Sequence, residues 1–201
     1  MKPGTECVGP LLSAARAGDV ESLGKLLEVH RSYLLLLARI QIGRRLQGKV
    51  DAPDLVQDAF LEAHRNFGRF QGSTGETLLA WLRQILAGQL AHLVRRYCGT
   101  LARDVKMERT IEDELSHSSG LLDRGLVDKQ ESPSNEASRR EQALLLADAL
   151  ERLPEDYREV IILRQLEGLS FAEVAGRMSR SVDSVQKLWV RALDRLRREL
   201  P

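Results

Sequence analysis

The sequence predicts an all-α protein: two small helical domains joined by a flexible acidic linker, the second ending in a helix-turn-helix. Three observations predict this. Apolar residues recur at helical spacing along most of the chain, and no alternating or β-branched run suggests a strand. Residues 99–141 break that texture, being polar, acidic and punctuated by Gly, Ser and Pro. The 201 residues, 43% of them hydrophobic, suffice for two packed cores. The expected organisation is a domain at 10–98, a linker at 99–141 and a second domain at 142–201.

Taken in order, "LLSAARAG" is a short helix stopped by Gly18, and Asp19 is the N-cap of "DVESLGKLLEVH". "SYLLLLARIQIGRRL" runs to the turn "QGKVDAP", where Asp51 and Pro53 stand as cap and first-turn proline. The helix they open places Val56, Phe60, Ala63 and Phe67 on one face and Asp54, Asp58, Glu62 and Arg65 largely on another. After the polar loop "GRFQGSTGE", the segment "TLLAWLRQILAGQLAHLVRRY" makes a long helix with Leu78, Trp81, Leu82, Ile85 and Leu93 as its apolar positions. Within the linker, "VKMERTIEDEL" carries some helical character. Four helices follow, with breaks at Pro154, Gly168 and Ser179 to Ser181.

Charge is nearly balanced overall at a formal +1, but it is unevenly placed. The three segments carry +4, −3 and 0, and residues 177–198 gather seven basic groups against Asp183 and Asp194. A local basic stripe of this kind suits a polyanion. Cys7 and Cys98 are distant and read as free thiols rather than a disulfide framework. His30, His64, His92 and His117 are dispersed without metal-ligand spacing, and no glycine-rich phosphate loop or activated nucleophile is evident. The expectation is therefore no enzyme activity, no metal and no cofactor. The start "MKPGTECVGP" lacks a signal-peptide core and "LLLLARI" is too short to span a bilayer, so a cytoplasmic protein with no membrane partner is expected.

The stretch "GLSFAEVAGRMSRSVDSVQKLW" explains the charge. Ser170 and Glu173 have the spacing of a capping box, and Phe171, Val174, Ala175 and Met178 follow helical spacing. Ser181 caps a second helix, with Val182, Val185, Leu188 and Leu193 expected to face inward. Two helices across so short a turn form a helix-turn-helix. The second helix would present Asp183, Ser184, Gln186, Lys187 and Arg191 to a major groove flanked by phosphates.

The longer pattern, "LERLPEDYREVIIL" followed by G-L-S-x-x-E-V-A, resembles the C-terminal domain of sigma-70 family transcription initiation factors. Independently, "DAPDLVQDAFLEAHRNFGRFQGSTGETLLAWLRQIL" is similar to the N-terminal domain of that family. The resemblance covers about residues 10–98 and 142–199 and points to the small, extracytoplasmic-function type. It implies a factor that binds core RNA polymerase through clamp and flap contacts, directs it to promoter DNA, and is a monomer when free. An anti-sigma factor is a common further partner in the family. Residue by residue, Asp54, Gln57, Asp58 and Glu62 match the helix that grips the polymerase clamp. Asn66, Arg69, Phe70, Gln71 and Ser73 match the loop that captures an unstacked −10 base, with Phe67 more naturally a core anchor. Arg83, Gln84, Arg95 and Arg96, with Gln89 and His92, form the polar set of the strand-opening helix. Ser181, Asp183, Ser184, Gln186, Lys187 and Arg191 match the −35 recognition helix. The chain departs from the family pattern at Ala87 and Gly88, where a basic residue and Asn are usual, and at Leu188, where Arg is common. The acidic middle segment corresponds to the linker that threads the polymerase, a role its composition shares with a plain tether. The alternative is a stand-alone helix-turn-helix regulator, which would bind duplex tightly by itself, usually as a dimer.

Overall fold

The computed structural model describes residues 8–45, 50–98, 105–123 and 136–200. Cys7, the Cys98 side chain, residues 46–49 of the expected turn, and linker residues 99–104 and 124–135 lie outside the described residues. The described residues contain helices and no strand, and they divide into two compact units, Met1–His117 and Ser118–Pro201.

The first unit holds α1 (Val8–Arg16), α2 (Val20–Val29), α3 (Arg31–Arg45), α4 (Ala52–Asn66) and α5 (Gly75–Cys98). α1 stops because Gly18 adopts φ 97°, letting the Gly18 and Asp19 amides bond back to the carbonyls of Ala15 and Ala14. Asp19 then caps α2, accepting from the Glu21 amide at 3.1 Å and the Ser22 hydroxyl at 2.5 Å. The Ser22 bond holds the Asp19 carboxyl below its ordinary value. α3 is apolar around its whole circumference over Tyr33–Ala38, and all six residues are buried, so it forms the axis of this unit. α4 lies on α3 and α5, burying Leu55, Val56, Ala59 and Ala63, with Phe60 half-buried. Asp51 occupies the cap position of α4 but its side chain makes no capping bond; Pro53 in the first turn and Asp54 near the positive helix end favour the start instead.

The expected linker contains a formed helix, α6 (Val105–Asp123). Ile111 and Leu115, one turn apart, are 0% and 1% exposed, and Glu112 accepts from Gln84 of α5 at 3.3 Å. It extends the stretch "VKMERTIEDEL" whose helical character is expected, and its buried side is marked by these two apolar residues at i and i+4.

The second unit comprises α7 (Glu136–Glu151), α8 (Glu155–Ile161, continued by a π-helical turn Ile162–Leu166), α9 (Phe171–Arg177) and α10 (Val182–Glu199). Gly168, at φ 73°, ends the π turn. The capping box at the head of α9 is complete: Ser170 Oγ accepts from the Glu173 amide at 3.3 Å, and Glu173 Oε2 accepts from the Ser170 amide at 2.7 Å. These bonds lower the Glu173 carboxyl below its ordinary value. Between α9 and α10 the Ser179 and Arg180 amides return to Gly176 and Ala175, closing the same 5→2 and 6→1 pair seen after α1. Here Ser179 takes the left-handed position at φ 53°. Ser181 Oγ accepts from the Ser184 amide at 3.2 Å and opens α10. At the far end Arg152 bonds the Glu199 carboxylate at 3.1 Å and its carbonyl at 2.6 Å.

One expectation about α10 is corrected. Val182 and Leu193 do not face inward; they are 42% and 37% exposed. Val185, Leu188, Ala192 and Leu196 are buried instead, a stripe whose 3-4-4 spacing follows the helix more closely.

Candidate nucleic-acid interface

α10, the helix expected to read DNA, is set by packing and capping. Its buried stripe turns Asp183, Gln186, Lys187 and Arg191 to solvent, with Ser184 half-buried and the capping Ser181 exposed at the start. Arg180, Asp183, Ser184, Lys187, Leu188 and Arg191 line one shallow hollow of about 290 Å³. Leu188 is buried in its floor at 8% exposure, so the position where the family often carries Arg is here a core contact. The surface cations are mostly engaged: Lys187 with Asp183 at 2.8 Å, Arg198 with Asp194 at 2.7 Å, Arg195 with Glu199 at 3.0 Å, and Arg180 with Asp156 at 2.5 Å. Arg191 carries no ion pair among the described residues, one turn beyond Lys187 on the same face. Exposed pairs of this type contribute little stability, so Lys187 can exchange Asp183 for a phosphate at small cost.

The loop between α4 and α5 begins with a 3-10 turn, Phe67–Arg69. Phe67 is buried, as expected of a core anchor. Phe70 is half-buried, with its ring 5.0 Å from Trp81 and 5.9 Å from Phe67. Asn66 is directed into its own helix, donating to the Glu62 carboxylate at 2.6 Å and carbonyl at 3.1 Å. Arg69, Gln71 and Ser73 are the members of this set that stand exposed. On α5, exposed Gln84 and His92 share one face with half-buried Arg95 by helical spacing, with exposed Arg96 on its flank and Gln89 half-buried. Arg83 is half-buried about a quarter-turn away from Gln84, so it does not join that face. Ala87 is buried at 2% exposure, a packing position.

On α4, Asp54, Gln57 and Asp58 are exposed together, while half-buried Glu62 is bonded to Asn66 and lies 3.9 Å from Arg65. This patch is acidic and separate from the basic stripe of α10 in chain and in unit.

Sigma-70 region 2 matches residues 29–100, and region 4 of the same family matches residues 143–196. The chain is 32% identical over 168 residues to the ECF RNA polymerase sigma-E factor of Escherichia coli (strain K12), covering 81% of this chain and 83% of that one. It is 27% identical over 176 residues to the ECF RNA polymerase sigma-E factor of Haemophilus influenzae, covering 85% and 88%. This chain belongs to the sigma-70 family, in its extracytoplasmic-function branch. It is a promoter-directing sigma factor of RNA polymerase, and the reading as a lone helix-turn-helix regulator is not favoured, because region 2 accompanies region 4.

Three features of this sigma factor escape a sequence reading of the interface. Leu61 is 47% exposed between Asp58 and Arg65, adding an apolar contact to the acidic face of α4; its place off the Val56–Ala63 stripe is the sequence signal. Tyr97 is 41% exposed with the Arg96 guanidinium 5.9 Å from its ring, a stacking surface legible only as "RRY". Gly72 packs tightly, since a Cβ there would stand 2.3 Å from both the Phe70 ring and Thr77 Oγ1 and force one of them to shift.

Proposed function

We propose a division of labour among the three patches of this sigma factor. The exposed loop residues Arg69, Gln71 and Ser73, beside Asn66 and Phe70, read an unpaired base of the −10 element; α5 holds the opened strand through Gln84, Arg95 and Arg96. The face of α10 formed by Asp183, Ser184, Gln186, Lys187 and Arg191 lies in the major groove of the −35 element. The α4 face of Asp54, Gln57 and Asp58, with Glu62 and Leu61, docks on the clamp of core polymerase, and the second unit adds a contact to the flap. The observation that carries this reading is the order of regions 2 and 4 on separate compact units of one chain. Two weak readers fixed on one enzyme gain specificity through high local concentration, which a free chain lacks. RNA synthesis belongs to the polymerase, so this chain needs no catalytic group of its own. The free chain is a monomer and acts in the cytoplasm, where its template is; no helix among the described residues is long and apolar enough to cross a membrane.

Run-off transcription with core polymerase, with and without the protein, tests the assignment. Start sites that never move on addition of the protein refute it. For the α4 face, Asp58→Arg is expected to abolish co-purification with core polymerase while leaving the helical circular-dichroism signal unchanged; undiminished co-purification removes the clamp assignment.

A further inference from the structure

Arg16 ends α1, upstream of the residues matched by region 2, yet its side chain reaches a loop 56 residues further along the chain. Its Nη2 donates to the carbonyl of Gly72, and its Cζ lies 5.8 Å from the centroid of the Phe70 ring. Phe70 is itself stacked near Trp81, and Gly72 fits so closely against Phe70 and Thr77 that a larger residue would displace one of these side chains. At Gly75, the first residue of α5, a Cβ would meet Val8 Cγ1 at 2.9 Å, so α1 also packs against the end of the loop. Thr74 and Thr77 close the end by reciprocal bonds, each hydroxyl accepting from the other's amide at 3.2 and 3.1 Å. The loop is thus fixed at Phe70, Gly72 and Gly75, while the intervening Gln71 and Ser73 are exposed.

We propose that Arg16 is a positioning residue for base reading. By bonding the Gly72 carbonyl and covering the Phe70 ring, it holds the backbone from which Gln71 and Ser73 meet a promoter base. The inference rests on the reading of residues 66–76 as the −10 loop. A charged donor on a carbonyl and a guanidinium over an aromatic face are both stronger than a neutral contact. Ordering the loop before the DNA arrives removes a cost from binding and favours the base that fits the preset geometry.

The test uses holoenzyme reconstituted from core polymerase and the full chain, on a promoter located by mapping transcript starts. Each base pair of its −10 and −35 regions is replaced in turn, and the ratio of transcript yields, original over replaced, is recorded. Arg16→Ala is expected to shrink that ratio about threefold to tenfold at the −10 positions where Gln71→Ala or Ser73→Ala also shrinks it, leaving −35 ratios unchanged. Arg16→Lys, which keeps a donor but loses the flat guanidinium, falls between. If the Gln71 and Ser73 variants change the ratio and Arg16→Ala does not, the role of Arg16 is overturned and the loop reading stands. If none of the three changes it, the loop reading falls and takes the proposal with it. An equal loss of yield on every template, with all ratios preserved, makes Arg16 a phosphate contact or a fold support and overturns the proposal as well.

Discussion

In the first unit the exposed base-reading candidates, Gln71 and Ser73, stand on a loop, whereas in the second Asp183, Gln186, Lys187 and Arg191 stand on a helix. The loop takes its shape from aromatic stacking, with Phe67, Phe70 and Trp81 in mutual contact at 5.0 to 6.3 Å. The helix takes its orientation from an aliphatic stripe below it, the caps Ser170 and Ser181, and the Arg152–Glu199 contact at its far end. The contrast suits the two targets proposed for them. An unpaired base must be met edge-on from a fixed, irregular backbone, while a duplex groove accepts a regular rod whose flanks carry charge.

The comparison breaks most strongly at Trp81. Trp81→Ala removes the support of Phe70 and is expected to cost about 2 to 3 kcal/mol in the stability of the first unit, less than a fully buried tryptophan would. Denaturant titration measures the loss, and transcription should lose −10 discrimination while −35 discrimination persists. Loss of both would mean that the two readers are not separable. Next come Lys187→Ala and Arg191→Ala. Each is expected to reduce transcription only where a −35 element is needed, to lower the salt slope of holoenzyme binding by about one, and to leave stability within about 0.5 kcal/mol. A fall in the thermal midpoint would place these side chains in the fold instead.

Much of this contrast is legible in the sequence, for unequal reasons. The capping box of Ser170 and Glu173 and the cap at Ser181 are local, involving residues three apart, and the structure forms both. The inward face of α10 is legible only in part. Val182 and Leu193 share a side of the helix with each other, but at about 100° per residue they fall at the edge of the arc formed by Val185, Leu188, Ala192 and Leu196, which take the buried places. Exposure of Arg69, Gln71 and Ser73 agrees with their polarity, whereas the engagement of Asn66 with Glu62 depends on a side-chain geometry that residue type does not specify. The Arg16–Gly72 bond joins residues 56 apart in the chain, and no local pattern announces it. The helical character of "VKMERTIEDEL" is legible and α6 forms there, but its burial through Ile111 and Leu115 is not, because composition averages over so few apolar residues.

Two smaller effects sharpen the comparison. Ser170→Ala leaves the Glu173 amide without its partner and is expected to cost the second unit about 1 kcal/mol, read by denaturant midpoint, with the first unit unaffected. Glu159 sits among Glu155 and Asp156, and desolvation followed by their charges raises its carboxyl above the ordinary 4.5, against the pull of Arg177 and Arg180. A carboxyl raised on folding favours the folded state while protonated, and that contribution is lost as pH rises through the folded value. Glu159→Gln is therefore expected to stabilise at neutral pH by less than about 1 kcal/mol, since the group is partly exposed, with the gain vanishing below pH 4.5. A gain that persists in acid would assign the effect to packing.

The lack of space at Gly72 has a consequence for retargeting this factor. Because a Cβ there would crowd the Phe70 ring and Thr77 Oγ1, while Gln71 and Ser73 on either side are exposed, those two places are, on the proposed reading of the loop, where substitution is expected to change promoter choice without recasting the mount that holds them. On that reading two substitutions are expected to alter promoter choice, whereas exchange of the whole segment for a foreign one would disturb the contacts among Phe70, Trp81 and Arg16.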